Sequence, residues 1–249
     1  MSTWSDLKDN PRLKSIYDTR INILRLIREF FWSQDFLETD TPAVVRLAGQ
    51  EPYLNPISIV IHDTNNTMHR MYLRTSPEYA LKKLLAAGYA KIFELGKCWR
   101  DGESFGGSHN PEFTMLEWYR FPGTYQNIMD DTENLFKFVG EKLSNPTLYP
   151  SPYRGGNANE AASVSPSPIR GGTEGGVLVY KDKKVDITGK WDRLSMKEIW
   201  KKFININLDD YLEKVKLKKL AEDKGYKIEE DEEYENIFYK IFLNEIEPK

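Results

Sequence analysis

Apolar residues Leu13, Ile16, Tyr17, Ile21, Leu24, Ile27 and Phe31 recur every three or four positions, the interval that lines one face of an α-helix. Asn10 and Pro11 precede them, a capping side chain followed by the residue best tolerated in a first helical turn. The pattern predicts a long amphipathic helix over about residues 11–34. FLETDTPAVV then reads as a strand entered by a turn, with Pro42 in or just after it. PISIVIH at 56–62 and MHRMYLR at 68–74 read as a hairpin around Asp63-Thr64-Asn65-Asn66. Ser76-Pro77-Glu78 opens a second helix that Gly88 ends. Residues 90–100 and 111–121 are strand-like and flank the Gly-rich loop DGESFGGSHN. They predict a long antiparallel pair with a flexible tip. A further amphipathic helix is expected over 124–143, hairpin-like material over 177–188, and Ser195-capped and acidic helices from there to the end.

Alternation sharpens the picture of the long pair. Side chains on a strand point to opposite faces in turn. Phe113, Met115, Glu117 and Tyr119 therefore share one face, while Thr114, Leu116 and Trp118 share the other. On the partner strand, Glu94, Gly96, Cys98 and Arg100 fall together. Gly96 removes a side chain and is expected to open room above the sheet. A face bearing Arg, Phe and Glu suits a ligand with an anionic group, an aromatic base and an amine, because Arg holds phosphate bidentately and Phe can stack on a purine. The plainer reading of the same alternation is a half-buried hairpin with surface ion pairs.

Residues 145–176 break the pattern. They are rich in Pro, Gly, Ser and Asn, and PSPYRGG at 150–156 returns as PSPIRGG at 166–172. That composition predicts a disordered insert rather than a packed element. Two RGG copies are a weak signal for RNA.

Composition sets the outer bounds. The chain has 249 residues, 40% of them hydrophobic, and a formal net charge of -3. Near-neutrality argues against coating nucleic acid by bulk charge. Cys98 is the single cysteine, so no intrachain disulfide forms, and a reducing compartment is expected. Three histidines and no CxxC argue against a structural zinc site. MSTWSDLKDN has no apolar signal-peptide core, and no stretch approaches the roughly 18 apolar residues of a membrane helix. A soluble cytoplasmic protein is the expectation.

The string RDGESFGGSHNPEFTMLEWYR resembles motif 2 of the class II aminoacyl-tRNA synthetases, in the form used by the lysyl type. RINILRLIREFFWSQDFLETDTPAVV resembles motif 1, with Pro42 as its signature proline, and LRTSPEYALKKLLAAGYAKIFELGKCWR resembles the segment leading into motif 2. Motif 1 is placed at about 11–45 and motif 2 at about 90–121. The likeness covers roughly residues 11–144, is looser from 177, and leaves 145–176 outside. FLETDTP, EPYL and TMLEWYR are most similar to the short lysyl-synthetase paralogue that attaches lysine to elongation factor P. In that group the core begins almost at the N-terminus, without the anticodon-binding OB domain of true lysyl-tRNA synthetases.

The resemblance implies an α+β fold, a mostly antiparallel sheet flanked by helices, dimeric through motif 1. It implies that Arg100 binds the ATP α-phosphate and the amino-acid carboxylate and stabilises charge as the carboxylate attacks. Glu103, or Asp101 in its stead, meets the adenine end, His109 the γ-phosphate, Asn110 the ribose or the metal-bound end of ATP, and Phe113 stacks on adenine. Glu78 pairs with the substrate α-amino group; Glu117 and Tyr119 line the amino-acid pocket, Tyr119 near the side-chain amine; Gly49 offers a backbone contact. Competing plain roles are a surface ion pair for Arg100, a core aromatic for Phe113 and a dipole-favoured first-turn carboxylate for Glu78. Magnesium is expected to bridge the phosphates, with no metal ligands among these residues.

The motif 2 loop is one residue longer than usual and lacks a basic residue before the histidine. No motif 3, with its ATP-reaching arginine and the acidic metal ligands before it, is recognisable up to the closing EIEPK. The reading is thus a truncated, split or degenerate core, weak or inactive alone. The leading function is ATP-dependent activation of lysine or β-lysine and transfer to elongation factor P. The rivals are aminoacylation of tRNA-Lys and a non-catalytic, synthetase-like binding or regulatory paralogue.

Overall fold

A computed structural model describes residues 4–51, 53–104, 109–144, 171–174, 177–180 and 183–248. It divides into two compact units, 1–189 and 190–249.

In the first unit a short helix α1 (Trp4–Asp9) precedes α2 (Pro11–Ser33). Asn10 starts α2 as the sequence predicts: its Oδ1 accepts from Leu13 N at 3.0 Å. The expected single strand around Pro42 is instead two short ones, β1 (Leu37–Glu38) and β2 (Val44–Val45). They serve different sheets. β1 runs parallel to β5 (Lys91–Trp99), which pairs antiparallel with β6 (Glu112–Arg120). β2 pairs with β4 (Met68–Leu73), whose other edge takes β3 (Ser58–His62). Pro42 lies in the crossing between them, where its missing N–H costs no ladder bond.

The β3–β4 turn closes as expected, with Asp63 Oδ1 accepting from Asn65 N and Thr67 N, each at 2.9 Å. Helix α3 (Glu78–Ala86) follows and stops before Gly88, whose φ of 102° is a left-handed value that glycine adopts at no steric cost. Helix α4 (Tyr125–Ser144) comes after β6. Most of the Pro/Gly-rich insert lies outside the described residues, but Gly171–Glu174, inside the range read as insert, is strand β7. It pairs with β8 (Val177–Tyr180), which pairs with β9 (Lys183–Asp186).

The core of this unit is aromatic. Phe30, Phe31, Phe36, Phe93, Leu95 and Leu135 are buried together, with Leu116 and Trp118 against them. Phe31 stacks on Phe93 at a centroid distance of 4.8 Å, and Phe30 meets Phe138 of α4 at 5.7 Å. Only the C-terminal half of α2 feeds this core. Ile16, Tyr17 and Ile21 of the apolar series, in the N-terminal half, stand exposed, as does Trp32 on the outer side of the last turn, because the elements described in this chain leave those positions uncovered.

The second unit is helical. Ser195 caps α5 (Met196–Ile204) in a reciprocal capping box with Glu198. After a 3₁₀ turn (Leu208–Tyr211) come α6 (Lys214–Asp223) and α7 (Tyr234–Ile241), closed by a π-helical turn (Phe242–Ile246). Helix α6 begins KVKLKK, so it is lysine-rich rather than acidic. Trp200, Leu217, Ala221, Ile237 and Ile241 make this unit's own core. Mixed helices and antiparallel-dominated sheets make the chain α+β.

Candidate active site

The β5–β6 register places Cys98 opposite Phe113, Gly96 opposite Met115 and Glu94 opposite Glu117. Directly opposed residues point to the same face, so the polar face read from alternation exists. It carries two groups of predicted residues.

The first group is built on Glu117. Its Oε1 accepts from Tyr119 OH at 2.6 Å and its Oε2 from Ser76 Oγ at 2.7 Å. Ser76 also caps α3, accepting from Glu78 N at 3.0 Å. The carboxylate is thus held by two hydroxyls from two elements, a fixed acceptor for a cation. Burial, then the Glu117 hydrogen bond and charge, then the Glu78 charge push the Tyr119 phenol far above its ordinary range, so it remains a donor. Glu78 belongs to the same neighbourhood but forms an ion pair with Lys82 one turn on. Gly49 lies against the start of α3. A Cβ there would sit 2.3 Å from Glu51 Oε2 and 2.7 Å from Thr75 Oγ1. Only glycine lets that loop backbone come so close.

The second group is Arg100 and Phe113. Arg100 Cζ lies 5.0 Å from the Phe113 ring centroid, and its Nε is buried with no hydrogen-bond partner. A buried guanidinium N–H without an acceptor favours an incoming anion, since leaving it unpaired costs about 1–3 kcal/mol or more. Arg100 leaves β5 with its N–H on Pro111 O at 2.9 Å, and Asp101 N donates to Asn55 O at 2.7 Å. These bonds anchor the base of the loop.

The other predicted ATP contacts stand apart on that loop. His109 is 73% exposed, and its Nδ1 lies 3.7 Å from Glu103 Oε2, an ion pair when the imidazole is protonated. Asn110 is exposed beside it. The tip, 105–108, lies outside the described residues.

Gly96 lines a cavity of about 820 Å³ with Thr41, Arg74, Glu94 and Lys97, but the space left by its own side chain is taken by a protein group rather than left for a ligand. Its missing side chain makes space for the Arg74 guanidinium, whose Nη2 would lie 2.4 Å from a Cβ at that position. Arg74, Glu94, Thr41 and Thr75 are buried polar residues; alternation placed Glu94 on this face, but sequence reasoning missed the other three and that they surround it. The part-buried Ser76, read as a helix start only, was missed as well. An arginine and a glutamate inside strand-like runs were the available signal, for a charge in a buried strand needs a partner. Cys98, at 0% exposure, is held neutral by burial.

Among the described residues no three His, Cys, Asp or Glu side chains come together to hold a metal. Among them, no helix is long and apolar enough to cross a membrane.

Comparison with known proteins shows the family. The family model for tRNA synthetases class II (D, K and N) matches residues 2–246. The chain is 33% identical over 251 aligned positions to a lysine–tRNA ligase of Mesomycoplasma hyopneumoniae (strain 7448), covering 98% of this chain and 43% of that protein. It is 30% identical over 246 to the lysine–tRNA ligase of Moorella thermoacetica, with 98% and 43% covered. For the lysine–tRNA ligase of Clostridium perfringens (strain SM101 / Type A) the identity is 29%, with 88% and 37% covered. The chain therefore spans less than half the length of these relatives. On the match across nearly all of its residues, the chain belongs to the class II tRNA synthetase family of the D, K and N type.

Proposed function

We propose that this chain supplies the amino-acid side of an ATP-dependent lysine-activating site. The observation that carries the proposal is the Glu117 carboxylate, fixed by Ser76 and Tyr119 on the same sheet face as Phe113, over whose ring Arg100 lies. Glu117 and Tyr119 take the side-chain amine of lysine or β-lysine, and Glu78 the α-amino group once it turns from Lys82. Arg100 swings off Phe113 to hold the substrate carboxylate and the ATP α-phosphate, leaving the ring free to stack on adenine. Glu103, His109, Asn110 and the Gly49 backbone complete the contacts. A carboxylate oxygen of lysine forms a bond to the α-phosphorus in line with the departing oxygen, and pyrophosphate leaves with the bonding pair. What the residues contribute is positioning and charge neutralisation. Magnesium, when bound, neutralises phosphate charge.

The acceptor we propose is elongation factor P, on the likeness of FLETDTP, EPYL and TMLEWYR to that paralogue. Transfer to tRNA-Lys is the second reading, favoured by the names of the relatives. The exposed stripe Ile16, Tyr17, Ile21 and Trp32 on α2 supports dimerisation through motif 1. Titration with a non-hydrolysable lysyl-sulfamoyl adenosine tests the site: the chain should bind it in preference to the norleucyl analogue, which lacks the amine. Equal binding of both would refute lysine recognition. Lysine-dependent pyrophosphate exchange separates catalysis from a purely regulatory role, and supplying elongation factor P or tRNA-Lys to the active protein separates the acceptors.

A further inference from the structure

Directly opposed like charges on one sheet face repel, yet Glu94 and Glu117 face each other across β5 and β6. Glu94 is 2% exposed, so water does not screen it. Its counter-charge is Arg74, 6% exposed, with which it forms an ion pair. Glu94 Oε2 accepts from Thr41 N at 3.1 Å and Thr41 Oγ1 at 2.8 Å. Arg74 Nε donates to Lys97 O at 3.0 Å, and Nη1 to Thr41 O at 2.9 Å and Thr41 Oγ1 at 2.8 Å. Its backbone is fixed as well: N donates to Ala43 O at 2.9 Å, and O accepts from Trp99 N at 3.0 Å. One side chain thus joins the β1–β2 crossing, the end of β4 and the edge of β5. Two residues on is Ser76, which orients Glu117.

We propose that Arg74 is a positioning residue for substrate recognition: it neutralises Glu94 and fixes the segment 74–78, so that of the opposed pair only Glu117 presents a free negative charge to the substrate side-chain amine. The inference rests on the lysine-activating reading of the site. Lysine at position 74 would keep the charge but not the fork that reaches Lys97 O, Thr41 and Glu94 together.

The test is the ratio of affinities for lysyl- and norleucyl-sulfamoyl adenosine, measured by calorimetry on the full chain. Arg74→Gln and Arg74→Lys should each lower the ratio about tenfold, the scale of a misplaced charged hydrogen bond. Loosened structure alone would weaken both analogues equally and leave the ratio unchanged. If Arg74→Gln does not fold, the Arg74→Gln/Glu94→Gln double variant, which leaves no buried charge unpaired, is measured in its place; with Glu94 uncharged only the fixing of 74–78 is lost, and a fall smaller than tenfold but greater than about twofold is expected. A ratio within about twofold of the parent in the variants overturns the assignment, and so does unfolding of all three, which makes Arg74 merely structural. A parent chain with no preference overturns the reading of the site and the inference with it.

Discussion

The two faces of the β5–β6 ribbon are built from the same backbone and alternate residue by residue, yet they follow opposite rules. One presents Phe93, Leu95, Leu116 and Trp118 to the phenylalanines of α2. The other presents Glu94, Cys98, Phe113, Glu117 and Tyr119, with Arg74 sunk into the gap at Gly96. The first face stabilises by removing apolar surface from water. The second hides charge, which costs free energy even when paired. Replacing a buried ion pair with packed hydrophobes is often neutral or stabilising, so the polar face is better explained by what it binds than by what it stabilises.

The largest expected effect breaks that contrast on the apolar side. Phe93 is fully buried between Phe31 and the ribbon. Phe93→Ala should cost about 3–5 kcal/mol, the loss for a large core aromatic, read as a fall in the urea midpoint of the first unit. A change below about 1 kcal/mol would mean that this face is not the core.

The apolar face was legible in the sequence, and so was the identity of the polar one, because period-2 alternation survives folding. The partners of the polar face were not. Gly96 reads as a vacancy for a ligand, and only the fold brings Arg74 across from another sheet to fill it. Ser76 reads as a helix start, and nothing local tells that its hydroxyl reaches Glu117, 41 residues away. The Pro42 segment reads as one strand, but which sheet each end joins is decided by non-local pairing. The exposed half of α2 has the same cause: periodicity reports an apolar stripe, not what covers it.

On the polar face, substitutions should move affinity more than stability. Glu117→Gln keeps both hydroxyl partners but removes the charge. Lysyl-sulfamoyl adenosine affinity should fall about tenfold or more, the scale of a hydrogen bond to a charged group, while the urea midpoint moves little. Unchanged calorimetric affinity would remove Glu117 from the site.

A smaller effect is expected at Phe113. Phe113→Leu keeps an apolar side chain but loses the ring under Arg100 and the stacking surface for a purine. ATP affinity should drop by about 1 kcal/mol, the low end of the scale of base–aromatic stacking, because the leucine keeps part of the apolar contact. An unaltered ATP titration would place the purine elsewhere.

The smallest effect concerns pH and isolates one hydroxyl. The Tyr119 phenol is raised above its ordinary value of 10.0, first by burial and then by Glu117. A group whose folded value is raised contributes stability that is complete below the unfolded value and lost as pH climbs past it. Alkali should therefore destabilise the first unit from about pH 10 upward, since unfolding lets the phenol release a proton that the fold retains. Cys98 acts in the same direction from its ordinary value of 9.0, again through burial. Tyr226 and Tyr234 do so in the second unit. The slope of a single protein cannot be assigned to one residue, but the difference between parent and Tyr119→Phe can, because the other three groups are common to both. Thermal midpoints measured from pH 8 to 11 should fall less steeply in Tyr119→Phe, with the two curves parallel below pH 9. Curves parallel throughout would mean that Tyr119 is not held in the buried position from which it donates to Glu117.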